Sequence, residues 1–286
     1  PPVPGLSEHA FDVDQLDGAQ RLAAHIRALA ERPESDARNT VVIVGGGFTG
    51  LEAAAEMPGR MKSVLGEHAA IRTVIVDPAV TIGADMGEAA AKVVRGALDD
   101  LAVERRAGVR VTAIDGAGVT LSDGARIASQ TVVWTAGVRA HPLTAQLPGA
   151  HDALGRVIGD AFLHAPAAPG VFVAGDTVKA ATDDMGNFNL MTCQHALSLG
   201  RVAGYNAAAE LLGLPLHPYS QPKYMTCLDL GAWGALYTEG WDRTVHLTGA
   251  AAKELKQQIN GIWIYPPAAD REAAFAVSNP DFVIVP

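Results

Sequence analysis

Three glycines at a characteristic spacing, Gly45, Gly47 and Gly50, are the residues of this sequence best placed to do chemistry. They follow the apolar run 40–44 and lead into an alanine-rich stretch, so a buried strand should pass through a tight turn into a helix. In such a turn the first glycine permits the bend, the second lets the backbone approach a pyrophosphate, and the third lets the helix pack against its strand. The N–H groups at the helix start would bind the phosphates without a lysine or arginine. The residues predicted to hold the nucleotide are Gly45, Gly46, Gly47, Phe48, Thr49 and Gly50.

An acidic residue follows where this interpretation requires one. Residues 71–76, which are apolar or β-branched apart from Arg72, predict a second strand that ends at Asp77, where a carboxylate accepts hydrogen bonds from an adenosine ribose. Pro78, Ala79 and Val80 come next, with no arginine to receive a 2′-phosphate, so NAD is favoured over NADP. A chance match is the alternative, since the chain has 30 glycines, but the flanking strand, helix and acid favour a dinucleotide fold.

Four other residues carry side chains that could do chemistry. Glu52 lies in the first turn of the predicted helix, where the helix dipole alone would favour a carboxylate. His195 has no cluster of ligating residues at metal-binding spacing around it in the sequence, so no metal site is predicted. Cys193 and Cys227 form no CxxC pair and are predicted to be buried free thiols.

Composition excludes several classes of function. The 286 residues are 49% hydrophobic and 19% charged, which describes a globular protein of one large or two ordinary domains. A net charge of −9 with no run of lysine or arginine argues against a nucleic-acid-binding surface. No apolar run reaches the roughly 18 residues of a membrane span, and the N-terminus has no signal pattern, so we expect a cytoplasmic protein.

The periodicity of the chain predicts the elements that would position these residues. Helices are predicted at 16–32, from 50 to an interruption at Pro58-Gly59, and at 87–101, 191–212 and 249–259. Strands are predicted at 109–114, 118–121 and 125–127, at 130–134 and 170–174 before turns of small residues, and at 224–230, 235–237 and 245–247. In the last helix Lys253, Lys256 and Gln257 are expected to be exposed, and proline-rich loops close the chain.

Five motifs stand in a fixed order: the glycine turn, Asp77, Thr135-Ala136-Gly137, Val173-Ala174-Gly175-Asp176, and the helix start at Gln194. In this order the sequence resembles the two-dinucleotide-domain flavoproteins of the pyridine nucleotide-disulfide oxidoreductase superfamily, and within it the type II NADH dehydrogenases. The resemblance implies an α/β fold in which a Rossmann-like NAD domain is inserted into a partial FAD domain. The implied segments are 1–38 as the tail of a first FAD-domain segment, 39–138 as the NAD-binding domain, 139–213 as a second FAD-domain segment and 214–286 as a small α+β interface region.

The resemblance also implies roles for single residues. Glu52 matches the family's acidic residue beside the nicotinamide and flavin, and it is assigned with Gln194 to the catalytic set. The glycine turn and Asp77 would hold NADH, and Thr135, Ala136 and Gly137 would lie near the nicotinamide. Gly175 and Asp176 would bind the ribityl and phosphate end of the flavin. Gln194, His195 and Ala196 would place a helix N-terminus beside the isoalloxazine, where its dipole stabilises negative charge.

The sequence departs from the family pattern in several places. A glycine-rich turn for the FAD pyrophosphate is missing near the N-terminus, so the sequence resembles a truncated family member that lacks this first FAD fingerprint. The quinone-side helix pattern, Ala-Gln-x-Ala-x-Gln-x-Gly, stands at residues 193–200 with Cys193 and Ser198 in place of the first alanine and second glutamine. No redox cysteine pair and no basic amphipathic helix for membrane docking are evident.

The resemblance, together with the dinucleotide turn, implies an FAD-dependent NADH dehydrogenase with FAD and NAD as cofactors. It would transfer a hydride from NADH to the flavin and then electrons to a small-molecule acceptor, for which a quinone is one candidate. The alternatives are a flavin reductase of the same superfamily with a protein acceptor, and a non-catalytic NAD-binding module. Peripheral membrane contact and a homodimer are left open.

Overall fold

A computed structural model describes residues 3–283, which form two compact units. One unit contains residues 3–137 and Met225–Lys256, and the other contains Val138–Tyr224 and residues 257–283. Parallel strands joined by helices confirm the predicted α/β class. The division of the sequence into FAD-binding, NAD-binding and interface segments stays a prediction.

The helices and strands follow the order in which the sequence predicted most of them. Across residues 3–283 the α-helices are α1 (Leu6–His9), α2 (Leu16–Ala28), α3 (Asp36–Asn39), α4 (Phe48–Leu65), α5 (Glu88–Asp100), α6 (Cys193–Leu212), α7 (Gly249–Gln258) and α8 (Arg271–Val277). The strands are β1 (Thr40–Val44), β2 (Arg72–Asp77), β3 (Val103–Ala107), β4 (Val111–Asp115), β5 (Gly118–Leu121), β6 (Arg126–Ala128), β7 (Thr131–Trp134), β8 (Val157–Ile158), β9 (Val178–Lys179), β10 (Met225–Asp229), β11 (Ala235–Glu239) and β12 (Thr244–Thr248).

A four-stranded parallel sheet, in the order β3-β2-β1-β7, organises the first unit. Every residue of β1 is buried, with Val41 and Ile43 in one hydrophobic core and Val42 and Val44 in another. A strand buried on both faces favours such a continuous apolar run, which is the pattern the sequence shows. The glycine turn therefore leaves the sheet at the carboxyl end of β1, which pairs with β2 on one side and with β7 on the other.

The predicted interruption of the dinucleotide helix at Pro58 is wrong. α4 runs for 18 residues with Pro58 inside it. A proline there removes one hydrogen bond to the carbonyl of Ala54, but Met57 and Met61 are buried on either side of it. Burial of these side chains offsets the lost bond, and local sequence alone does not reveal that burial.

A small antiparallel sheet, β10-β11-β12, packs on α4 in the same unit. Leu228, Leu230 and Leu236 share the hydrophobic core to which α4 contributes. Gly231, at φ +59°, brings the backbone so close that a Cβ there would lie 2.3 Å from Ala55 O. This contact ties the carboxyl end of β10 to the first half of α4.

The second unit is built around α6 and a two-stranded parallel pair, β8 and β9. α6 ends at Leu212, as the helix predicted at 191–212 does, and Gly213 follows with φ +66°, which caps the helix. The strand predicted at 170–174 is reduced to a single antiparallel bridge between Phe172 and His164. The loop predicted after residue 259 instead contains a π-helical turn, Ile259–Trp263, and α8, which is capped by Asp270. Among residues 3–283, no helix combines the length and the apolar character needed to cross a membrane.

Candidate functional site

The glycine turn has two positions at which the protein itself requires glycine. Gly45 has φ +114°, and a Cβ there would lie 2.9 Å from Thr135 Oγ1. A Cβ on Gly50 would lie 1.8 Å from Gly45 O and 2.7 Å from Thr135 Oγ1, so no other residue fits between helix and turn. These contacts agree with the predicted roles of the first and third glycines in bending the chain and packing α4 against β1.

Gly47 is different, because no atom of the described residues 3–283 lies within 4 Å of a Cβ built there. Its φ of −75° and ψ of −174° suit any residue. α4 begins directly after it, and no side chain caps this helix start. The turn therefore presents an exposed edge beside helix N–H groups, which fits an anion approaching the backbone. Thus the residues at this turn fit the pyrophosphate of a dinucleotide.

Asp77 lies beside the same turn. Its Oδ2 accepts a hydrogen bond from Gly46 N–H at 2.6 Å, and its Oδ1 accepts one from Ala79 N–H at 2.7 Å. A carboxylate offers about four lone-pair directions, so these two bonds leave acceptor capacity for a ribose hydroxyl. The structure thus brings Asp77 next to the glycine turn, as the predicted site requires.

Thr135 joins β7 to the glycine turn. Its hydroxyl donates to Val44 O at 3.0 Å and lies 3.2 Å from Gly45 O. Ala136 and Gly137 follow as exposed residues. The turn that was predicted to lie near the nicotinamide therefore adjoins the predicted pyrophosphate site in the same unit.

Glu52 forms specific contacts beyond the influence of the helix dipole. Its Oε1 accepts hydrogen bonds from Asp229 N–H and from Lys256 Nζ, both at 2.9 Å. Lys256 Nζ also donates to Cys227 O at 2.8 Å. The Glu52 and Lys256 side chains are 32% and 15% exposed, so the pair is partly shielded from water. α4 begins at Phe48, so Glu52 lies one turn later in the helix than predicted, and the ion pair ties this part of α4 to β10 and α7.

The expected exposure of Lys253 and Lys256 is wrong. Lys253 Nζ lies 2.5 Å from Asp229 Oδ1 and 3.7 Å from Glu56, and its side chain is 26% exposed. Both lysines lie on the side of α7 that covers β10 and faces α4. The carboxylates of α4 that they contact are far away in the sequence, so no local pattern predicts these contacts. Gln257 is exposed as expected.

The prediction that both cysteines are buried is wrong for Cys193 and only partly right for Cys227. Cys193, the first residue of α6, is exposed, and Cys227 is half-buried. Burial raises the pKa of the Cys227 thiol to about 11, against the opposing charge of Lys256. Cys227 is therefore protonated at neutral pH and is not a nucleophile there.

In the second unit, the turn predicted for the flavin lies against the start of α6. Gly175 has φ +66°, and a Cβ on it would lie 3.8 Å from the Cβ of Ala196. Desolvation raises the pKa of the adjacent Asp176 carboxyl, while the charge of Arg156 lowers it. The structure thus brings Gly175, Asp176 and Ala196 to one place, where small residues and a helix N-terminus fit a flat ring and its ribityl chain.

His195 is completely buried in the first turn of α6, and Gln194 beside it is half-buried. The Nδ1 atom of His195 lies 2.9 Å from Thr192 Oγ1, and its ring lies 5.4 Å from that of Tyr224. Burial lowers the pKa of His195 to about 4, so the ring is neutral at pH 7. His195 therefore fixes the helix start without adding charge to it.

The sequence analysis did not identify two charged residues that interact with predicted site residues, Lys256 with Glu52 and Arg156 with Asp176. Lys256 pairs with Glu52 across 204 positions, a distance at which no local pattern gives a signal. Arg156 is 9% exposed and bonds Asp152, four positions before it. The Asp-x-x-x-Arg spacing was a signal that could have been noticed, although it does not by itself indicate burial.

Comparison with known proteins identifies the family of this chain. A model of the pyridine nucleotide-disulphide oxidoreductases matches residues 1–200. The chain belongs to this family. Membership confirms the resemblance and the prediction of an oxidoreductase, and it supports FAD and NAD(H) as cofactors.

Individual relatives place the chain more closely within the family. It is 48% identical over 269 residues to an NADH dehydrogenase-like protein of Mycobacterium tuberculosis, covering 93% of this chain and 67% of that protein. It is 28% identical over 255 residues to a demethylphylloquinone reductase of Synechocystis, covering 88% and 60%. An FAD-dependent pyridine nucleotide-disulphide oxidoreductase from Desulfovibrio vulgaris shares the fold with a TM-score of 0.61 at 24% identity, over 84% of this chain and 57% of that chain. The chain thus spans about two thirds or less of each of these proteins.

Proposed function

We propose that this chain forms part of an FAD-dependent NADH dehydrogenase, which transfers a hydride from NADH to the flavin and passes electrons on to a quinone. The observation that carries the proposal is the open face of Gly47, at the start of α4 and beside Asp77. The Mycobacterium relative, which is named NADH dehydrogenase-like, supports it.

The chain's own residues bind and orient the reactants in this proposal. The first N–H groups of α4 hold the NADH pyrophosphate, and Asp77 accepts from the ribose hydroxyl and repels a 2′-phosphate. FAD, when bound, supplies the ring that accepts the hydride and later gives up its electrons. Asp176 accepts from the ribityl chain, and the N-terminus of α6 stabilises negative charge on the flavin. No nucleophile is needed, since binding and orienting the two cofactors is the protein's main contribution.

A quinone is proposed as the acceptor because of the relatives. The Synechocystis protein is named a demethylphylloquinone reductase, and a type II NADH:quinone oxidoreductase of Staphylococcus epidermidis is 24% identical over 80% of this chain. Gln194 keeps the first glutamine of the quinone-side helix pattern, whereas Ser198 replaces the second. This replacement makes the choice of acceptor a separate question from the hydride step.

The decisive experiment compares Gly47, which directly precedes α4, with Gly59 inside α4 in the purified holoenzyme. In the part of the chain that the structure describes, no atom lies within 4 Å of a Cβ at either Gly47 or Gly59, so both alanine variants should fold. Only Gly47→Ala fills the face proposed for the pyrophosphate. Rapid mixing should show that Gly47→Ala needs at least about tenfold more NADH for half-maximal flavin reduction, while Gly59→Ala behaves as wild type.

Several results would overturn the proposal. Equal NADH dependence in the two variants would remove Gly47 from the site. A colourless protein that still binds NADH would favour the NAD-binding module. Turnover with a protein acceptor but not with short-chain menaquinone or ubiquinone analogues would replace the quinone with the flavin-reductase alternative.

A further inference from the structure

A buried cation lies beside the turn proposed to bind flavin. Arg156 is 9% exposed and immediately precedes β8, and Asp176 lies two residues before β9. The two strands are parallel, with Val157 opposite Val178. The residues that lead into the two strands therefore lie at the same end of the pair, which brings Arg156 to the turn that carries Asp176.

Directed contacts hold the Arg156 guanidinium in place. Its Nε donates to Asp152 Oδ2 at 2.8 Å, and its Nη1 donates to Asn189 O at 2.9 Å. The side chains of Arg156 and Asp152 are 10% and 14% exposed, so the pair is largely shielded from water. In the part of the chain that the structure describes, Nη2 has no hydrogen-bond acceptor.

Asn189 carries the contact on to β9. It is 1% exposed, and its Nδ2 donates to Val178 O at 3.1 Å while its Oδ1 accepts from Ala180 N–H at 2.8 Å. Buried amides of this kind fix the backbone groups they bond, because an unpaired buried polar group costs about 1–3 kcal/mol. Arg156 thus acts through Asn189 on the strand that begins directly after the Asp176 turn.

The charge of Arg156 also acts on Asp176. Desolvation raises the pKa of the Asp176 carboxyl, and Arg156 opposes this by favouring the ionised form. An ionised carboxylate is the stronger acceptor for a ribityl hydroxyl. It would also repel the phosphates of FAD, and a neighbouring guanidinium offsets that repulsion.

We propose that Arg156 is a positioning residue of the flavin subsite, where it holds the turn that carries Asp176 and balances its charge against the phosphates of FAD. This inference rests on the proposed function, since it takes Asp176 to be a flavin-binding residue. It gives a role to Arg156, a residue that lies outside the glycine turn, the helix start and the other motifs found in the sequence.

The test separates charge from packing by two replacements at one position. Arg156→Gln keeps an N–H donor for Asn189 O but removes the charge, and Arg156→Lys keeps the charge. Arg139→Gln is the matched control, because Arg139 is exposed and bonds Ala153 O in the same unit. The measured quantity is the FAD dissociation constant, from the fluorescence of flavin released when purified holoenzyme is diluted.

We expect Arg156→Gln to weaken FAD binding by at least about tenfold, and Arg156→Lys and Arg139→Gln to stay within about threefold of wild type. The loss should shrink when Asp176→Asn is already present, because the carboxylate charge is then gone. Wild-type affinity in Arg156→Gln would overturn the inference, as would an undiminished loss in the Asp176→Asn background.

A second variant keeps the inference testable if Arg156→Gln does not fold. Asp152→Asn preserves an oxygen acceptor for Arg156 but removes its counter-charge. FAD should then bind at least as tightly as in wild type, and a weakening of more than about threefold would count against Arg156. Wild-type protein that holds no FAD would overturn the proposed function together with this inference, whereas flavin-replete wild type with unaffected variants would overturn this inference alone.

Discussion

The ion pair between Glu52 and Lys256 gives a prediction whose size follows from its geometry. At 2.9 Å the gross attraction is about 6 kcal/mol for an effective dielectric constant of about 20. Desolvation and the ordering of the lysine offset most of this. Exposed pairs give about 0.2–1 kcal/mol, whereas truncating one partner of a buried pair costs about 3–5 kcal/mol. With side chains 32% and 15% exposed, this pair lies between those limits.

We therefore expect Lys256→Met to lower the free energy of unfolding by about 1.5–3 kcal/mol. The methionine keeps the packing of the lysine stem but leaves Glu52 with Asp229 N–H and leaves Cys227 O without the ammonium donor. Glu52→Gln keeps an acceptor for Asp229 N–H. A double-mutant cycle between the two variants should return a coupling energy of about 1–2 kcal/mol.

Urea unfolding followed by tryptophan fluorescence measures this coupling, because Trp233 lies between β10 and β11 and packs against the hydrophobic core to which α4 contributes. Glu254→Gln is the control, since Glu254 is an exposed acid on α7, the helix that carries Lys256. A coupling energy below about 0.3 kcal/mol would refute the reasoning and return Glu52 to a carboxylate that only the helix dipole favours.

The same variants separate a structural from a chemical role of Glu52. If Glu52 orients the nicotinamide, Glu52→Gln should slow flavin reduction by NADH more than about tenfold, a barrier increase of about 1.4 kcal/mol. Unchanged rapid-mixing rates together with the stability loss would make Glu52 an anchor for the sheet β10–β12 and nothing more.

Three further outcomes are expected. Gly50→Ala should prevent stable folding or NADH binding, because its Cβ would lie 1.8 Å from Gly45 O, and a wild-type melting temperature with wild-type NADH affinity would contradict this. Asp77→Asn should reduce the preference for NADH over NADPH by at least about tenfold in titrations, since the repulsion of a 2′-phosphate is lost, and an unchanged ratio would remove Asp77 from the ribose site. Because burial lowers the pKa of His195 from 6.5 to about 4, the unfolded chain binds a proton between those values that the folded chain does not. The free energy of unfolding should thus fall by up to about 3 kcal/mol as the pH drops from 6.5 towards 4, and an equal pH slope in His195→Gln would contradict this cause.

The glycine turn and Asp77 could be predicted from the sequence because their signals are local. A buried run, fixed glycine spacing and a strand-terminal acid each follow from the conformation of a few residues. The strand β2 was placed to within one residue at each end. Local signals of this kind also predicted the end of α6 at residue 212.

The rest of the site depends on contacts between distant residues. No residue near Lys256 in the sequence indicates that its partner is Glu52, because the packing of α7 over β10 brings the two residues together. The helix interruption predicted at Pro58 is wrong, because the low helix propensity of proline is outweighed by the burial of Met57 and Met61. Arg156 is buried only because Asp152 and Asn189 supply its acceptors, and the second of these lies 33 positions away.

The interleaved order of the two units bears on how the chain is made. Met57 and Met61 on α4 share their core with Leu228 and Leu236, which belong to the returning segment. At a synthesis rate of about 5–20 residues per second, the roughly 170 intervening residues take roughly 10–30 s to emerge from the ribosome. During that interval the glycine turn has been synthesised, but the apolar face of α4 that follows it is still uncovered. Chaperone contact in this period would protect the nascent chain from aggregation.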